Sequence, residues 1–193
     1  VDIILGSGSP RRKSILEGIF GTIRVISPSV DESKLDDESA ENYVERIARL
    51  KMDAVLSGLK SDQSYCVITS DTIVLIEDKI LGKPGSADDA FSMLEMLSGK
   101  EHLVLTGICI YTKDGDRTVI KYGLEKTSVN FKILGMEIIE KYLGKINYMD
   151  KAGSYAIQEH GEMLVRSVNG SITNVIGFPL RLFFRLMTEI ETE

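Results

Sequence analysis

The sequence predicts a mixed α/β protein, one sheet of parallel and antiparallel strands with helices packed against it. Two observations carry that expectation. Short apolar runs of strand length alternate with stretches whose apolar residues recur at helical spacing, beginning with a strand–turn–helix unit over residues 3–20. In the middle of the chain, residues 102–111 and 117–132 read as long strands joined by the turn sequence Lys113-Asp114-Gly115-Asp116, an antiparallel hairpin.

Each element follows from local chemistry. Ile3 to Leu5 is an apolar strand running into Gly6-Ser7-Gly8, and Ser9-Pro10 opens a helix with apolar positions Ile15, Leu16, Ile19 and Phe20. Serine caps well, and proline suits the first helical position because that N–H has no intrahelical partner. Thr22 to Ile26 reads as a second strand, followed by a loop ending in Asp31-Glu32. Residues 39–57 give the clearest helix: carboxylates lead it, and Val44, Ile47, Ala48, Ala54 and Val55 repeat at helical spacing. After a polar linker over 58–64, Cys66 to Thr69 reads as a buried strand, broken at Ser70-Asp71-Thr72 and resumed by Ile73 to Ile76. Ile80-Leu81 leads to the constrained loop Gly82-Lys83-Pro84; a helix spans 86–98 and another 136–143. The glycine-bearing stretch 144–161 is expected to be irregular, Met163 to Val168 to return as a strand, and 179–190 to close as a helix.

At 193 residues the chain suits a single domain, taken as 1–193. A net charge of −6 argues against nucleic acid as a partner, since phosphate-backbone binding calls for a basic surface. Cys66 and Cys109 stand apart in apolar runs and read as buried thiols; His102 and His160 lack metal-ligand spacing, which disfavours a zinc site or a His-based triad. The chain opens on a strand and no apolar run reaches ~18 residues, so neither a signal peptide nor a membrane span is expected, and the cytoplasm is the expected compartment.

Several residues break these patterns. Arg11, Arg12 and Lys13 put positive charge in the first turn of a helix, where the dipole is already positive. Such a corner is either a polyphosphate site or a solvated basic helix start. It is not a P-loop, because Arg12 and not glycine precedes Lys13-Ser14, and not a dinucleotide fingerprint, because Arg11 stands where the third glycine belongs. Lys51 falls on the apolar stripe of its helix, either snorkelling or aimed into a site. Lys83 is either a presented charge or a solvated loop lysine. Asp71 interrupts an apolar run, and a buried carboxylate must be paired or bound. Cations at element ends with the carboxylates Glu32 and Asp71, and no evident nucleophile, fit metal-assisted hydrolysis of a phosphoanhydride.

Over nearly its whole length the chain resembles the Maf family of nucleotide pyrophosphatases. The matching pieces are Ser7-Gly8-Ser9-Pro10-Arg11-Arg12, Glu32, Ala48-Arg49-Leu50-Lys51, Ser70-Asp71-Thr72 and Leu81-Gly82-Lys83-Pro84. They continue through Leu97-Ser98-Gly99 with His102, Thr106-Gly107, the run Asp150 to Gln158, Gly170-Ser171 and Asn174 to Leu180. The resemblance implies an elongated mixed sheet flanked by helices, with two lobes around a cleft as in inosine triphosphate pyrophosphatases. It implies hydrolysis of a nucleoside triphosphate to the monophosphate and pyrophosphate with Mg²⁺ or Mn²⁺, and a homodimer. By similarity Asp71 is the proton acceptor or metal-site carboxylate and Glu32 a further acidic partner at the metal. Ser7, Arg11, Arg12, Lys51 and Lys83 would hold the triphosphate. Arg11, Thr72 and Gln158 match the dTTP/UTP subgroup, and not the 7-methyl-GTP subgroup, where bulkier or acidic replacements occur. An amide such as Gln158 can pair with a pyrimidine edge as donor and acceptor. Two other outcomes stay open: the same reaction on another non-standard nucleotide, and a nucleotide-binding regulator of cell division without turnover.

Overall fold

The computed structural model describes residues 1–60 and 63–192, so Ser61 and Asp62 of the expected linker, and Glu193, lie outside the described residues. The strands are β1 (Asp2–Gly6), β2 (Arg24–Val25), β3 (Tyr65–Ile76), β4 (Lys79–Leu81), β5 (Glu101–Asp114), β6 (Arg117–Phe131) and β7 (Val165–Asn169). The helices are α1 (Pro10–Phe20), α2 (Ala40–Leu56), α3 (Ala87–Leu97), α4 (Met136–Leu143), α5 (Ile172–Ile176) and α6 (Leu180–Glu191). One seven-stranded sheet runs β2-β1-β3-β5-β6-β7, with β4 added on β3. It is mixed as expected: β1 is parallel to β2 and β3, whereas β4 and β7 pair antiparallel with β3 and β6.

Two expectations are corrected. β3 is a single twelve-residue strand, unbroken at Ser70-Asp71-Thr72. Burial disfavours an unpaired carboxylate in a strand, and here the Lys51 ammonium of α2 pairs with Asp71 at 2.8 Å. Helix α5 was not anticipated, since five residues are too few to display a helical period; its start is fixed by Ser171, whose Oγ accepts from the Asn174 N–H at 3.3 Å.

The chain forms two compact units, the first of Val1–Asp71, Thr106–Glu125 and Gly177–Glu193, the second of Thr72–Leu105 and Lys126–Ile176. In the first unit the period-2 alternation of strands sorts side chains to opposite faces. Leu5, Cys66 and Ile68 pack with Leu16 of α1 and with Phe178, Leu182 and Phe183 at α6, whereas Ile4, Tyr65 and Val67 pack with Ala48, Met52 and Val55 of α2. Within the first unit, the odd-numbered residues of β3 therefore face α2. In the second unit Val74, Ile76, Val129 and Phe131 share a core with Met93, Leu94 and Leu97 of α3 and Ile139 and Tyr142 of α4. Among the described residues no helix is long and apolar enough to cross a membrane.

Candidate active site

The odd face of β3 does not stop at its apolar residues. Thr69 and Asp71 continue it, and both meet α2 at positions one helical turn apart: Thr69 Oγ1 donates to the Ala48 carbonyl at 2.7 Å, and Lys51 Nζ donates to Asp71 Oδ1 at 2.8 Å. Strand spacing and helix spacing thus coincide over two successive pairs. Lys51 does not snorkel to water. Its buried ammonium also lies 2.7 Å from Glu32 Oε1, so two carboxylates from separate segments share one cation. Asp71 is 7% exposed, and this pairing is what makes its burial tolerable.

Glu32 reaches Lys51 from the irregular segment between β2 and α2. That segment is fastened to α2 by Tyr43, whose hydroxyl donates to the Glu32 carbonyl at 2.8 Å, and by Arg46. Burial, together with the negative charges of Asp71 and Glu32, pushes the Tyr43 phenol up to about 12, so it is a donor at neutral pH.

The glycine–serine corner is built by close approach. A Cβ on Gly6 would lie 2.5 Å from Thr69 Cγ2 and 2.9 Å from Val55 Cγ2, so only glycine lets β1 end this close to β3 and α2. Ser9 caps α1, its side chain accepting from the Arg12 N–H. Arg12 turns inward. Its Nη1 donates to the Ser70 carbonyl at 2.7 Å and to Ser7 Oγ at 3.1 Å, and its Nε to the Gly177 carbonyl at 3.0 Å. One guanidinium joins the β1–α1 corner, the residue before Asp71 and the start of the C-terminal segment. Burial lowers its pKa to about 10, against the raising effect of Asp71; Arg11 lowers it further and Glu32 raises it. It remains a cation at neutral pH. Arg11 is half-buried, and Lys13 pairs with Glu17 at 3.7 Å along the helix. The dipole-opposing charge of Arg12 is therefore answered by protein carbonyls.

Thr72, Lys83 and Gln158 belong to the second unit. Lys83 and Gln158 are exposed. The Gly82-Lys83-Pro84 loop and the segment carrying Gln158 are joined where the Gly153 N–H donates to the Gly82 carbonyl at 3.0 Å. Gly153 has φ +65°, and a Cβ there would meet Val74 at 2.9 Å. The same segment is held by Lys151, buried and paired with Asp150 at 2.9 Å and Glu159 at 3.3 Å, and by Tyr155, whose hydroxyl bonds His102 Nε2 at 2.8 Å.

Sequence reasoning missed Tyr43, Arg46, Lys151 and the Gly177 carbonyl as parts of this construction. Tyr43 and Arg46 are three apart and so share a helix face, but nothing in the sequence says which loop lies on it. Among the described residues no group of three or more His, Cys, Asp or Glu side chains could hold a metal. Glu32 and Asp71, gathered on one ammonium, are nevertheless a fitting donor set for a hard ion that takes one or two carboxylates and fills its sphere with water and phosphate oxygens.

The model of the family described as Maf-like protein matches residues 2–190. The chain belongs to the Maf-like protein family. Among its relatives, a protein of Leptospira interrogans is 40% identical over 95% of this chain and 92% of its own length, one of Clostridioides difficile 40% over 93% and 90%, and one of Pyrococcus furiosus 39% over 96% and 93%. All three bear the name dTTP/UTP pyrophosphatase. Of solved structures, the Staphylococcus aureus Ham1 protein aligns over all of this chain and 98% of its own at 12% identity, with a TM-score of 0.43. The matched span contains the corner at Ser7–Arg12, the Lys51–Asp71 pair and the Gly82–Pro84 loop described above.

Proposed function

We propose that the protein is a nucleoside triphosphate pyrophosphatase acting on dTTP and UTP with a divalent metal. The observation that carries this reading is Lys51 Nζ, held 2.8 Å from Asp71 and 2.7 Å from Glu32, with Arg12 close enough to feel both carboxylates. Relatives about 40% identical along almost the whole chain and named dTTP/UTP pyrophosphatase support the substrate.

Water adds to the α-phosphorus, the α–β bridging P–O bond breaks, pyrophosphate leaves with the electron pair, and the proton of the water passes to the Asp71 carboxylate. Lys51 orients that carboxylate and offsets charge on the phosphates; Ser7 and Arg11 contribute donors at the helix start. Arg12 acts from its buried position, as a fixed positive charge behind Ser7. Asp71 and Glu32 would hold Mg²⁺ or Mn²⁺, which when bound supplies Lewis-acid polarisation of the phosphoryl group. Lys83 takes a phosphate, and Thr72 and Gln158 read the pyrimidine, the Gln158 amide serving as donor and acceptor.

A panel of nucleoside triphosphates with Mg²⁺ or Mn²⁺, scored for monophosphate and pyrophosphate, tests this. dTTP and UTP should turn over fastest. Asp71→Asn should lose turnover by at least about a hundredfold, the scale of a general acid–base contribution, while still binding nucleotide. Preference for a purine overturns the specificity, full activity of Asp71→Asn removes Asp71 from the mechanism, and binding without turnover of any triphosphate overturns the enzyme.

A further inference from the structure

Glu32 sits in a segment without helix or strand, largely exposed, between β2 and α2. An exposed glutamate on such a segment would ordinarily sample many rotamers and many backbone states, at an entropic cost for every ordered pose. Yet its carboxylate has a defined partner at 2.7 Å. The reason lies in two side chains of α2 that grip the backbone at two successive peptides, Glu32–Ser33 and Ser33–Lys34. Tyr43 Oη donates to the Glu32 carbonyl at 2.8 Å, and Arg46 Nη2 donates to the Ser33 carbonyl at 2.9 Å.

Arg46 is itself held. Its guanidinium forks onto Glu38, Nε to Oε1 at 2.6 Å and Nη2 to Oε2 at 2.8 Å, and its carbon lies 5.5 Å from the Tyr43 ring centroid. Glu38 Oε2 in turn accepts from the Leu35 N–H at 3.2 Å, and Asp31 Oδ1 from the Ser33 N–H at 2.9 Å. Bidentate Arg–carboxylate pairing fixes both direction and distance, which a point charge would not. The helix that supplies the Lys51 ammonium therefore also fixes the path of the segment that brings Glu32 to it. Residues 43, 47 and 51 follow one another at helical spacing, so the Tyr43 hydroxyl and the Lys51 ammonium lie along one side of α2.

We propose that Tyr43 and Arg46 are positioning residues of the candidate active site: they hold the Glu32 carboxylate on Lys51 and affect the reaction only through it. This rests on the pyrophosphatase reading of Glu32, Lys51 and Asp71. Neither residue is called on to touch substrate.

The test is a double-mutant cycle with two independent readouts, made on the full chain. Tyr43→Phe removes one hydroxyl and keeps the ring. It should lower kcat/KM for dTTP about fivefold, the factor carried by one neutral hydrogen bond. In the Glu32→Gln background the same change should alter kcat/KM by less than about 1.5-fold, since groups acting as one unit are not additive. Arg46→Met should behave in the same way with a larger effect. Equal losses in both backgrounds overturn the proposal. The second readout is the Lys51 side-chain ammonium signal in ¹⁵N–¹H NMR without nucleotide. In Tyr43→Phe it should move toward its position in Glu32→Gln; an unmoved signal overturns the proposal whatever the kinetics show. A wild type that turns over no triphosphate overturns the pyrophosphatase reading, and the NMR arm still decides whether Tyr43 holds Glu32 on Lys51.

Discussion

Arg12→Lys separates two jobs for one side chain. If the guanidinium served only a ligand, a lysine would keep the charge and the fold would not notice. The structure says otherwise: three acceptors on distant segments, the Ser70 and Gly177 carbonyls and Ser7 Oγ, depend on a planar fork buried to 8% exposure. A lysine ammonium is a compact charge that reaches one of those sites well and leaves buried carbonyls short of a donor. Hydrogen bonds to a charged partner are worth about 1.5–3 kcal/mol each, so with one of the three regained the loss should come to about 3–6 kcal/mol. For a chain of this length that corresponds to a fall in Tm of roughly 6–24 °C. Urea denaturation followed by circular dichroism, with calorimetry alongside, reads it directly. A variant within about 0.5 kcal/mol of wild type, the range of an unremarkable surface change, would refute the strut and leave Arg12 as a ligand residue alone.

Two further outcomes follow from the packing. His102 is buried against Phe131 and Tyr155, and burial lowers its pKa to about 4, against the raising effect of the Glu101 charge. Between pH 6.5 and 4 the unfolded chain takes up a proton that the folded one refuses, so this contribution is complete above pH 6.5 and falls away by about 3 kcal/mol as pH drops to 4. Urea midpoints measured from pH 7 to 4 should decline less steeply for His102→Gln than for wild type, and identical slopes would count against the buried neutral imidazole. Gly6→Ala should destabilise by about 1–3 kcal/mol through overpacking against Thr69 and Val55; unchanged stability would show that the β1 corner can yield.

How the site came to be legible differs residue by residue. Lys51 on an apolar stripe and Asp71 in an apolar run were each anomalies in the sequence, and each anomaly was one half of the other's explanation. The expected break at 70–72 is absent for the same reason: a lone carboxylate is unfavourable in a buried strand, and the ammonium that makes it acceptable comes from another element. Arg12 was visible as a misplaced charge, but two of its three acceptors are backbone carbonyls, which every residue carries and which no sequence marks. Tyr43 and Arg46 gave no anomaly, being ordinary residues on a helix surface.

The sequence by itself determined the order of the strands and of the longer helices, the cap at Ser9, the hairpin at Gly115 and the family, because these rest on local propensity, periodicity and motif identity. Only the tertiary structure decided that residues 12, 70 and 177 are one hydrogen-bonded unit and that residues 32, 51 and 71 share one charge. Those pairings span up to 165 positions of chain, and what selects them is the coincidence of strand and helix periods across a packed interface together with the cost of leaving any buried charge unpartnered.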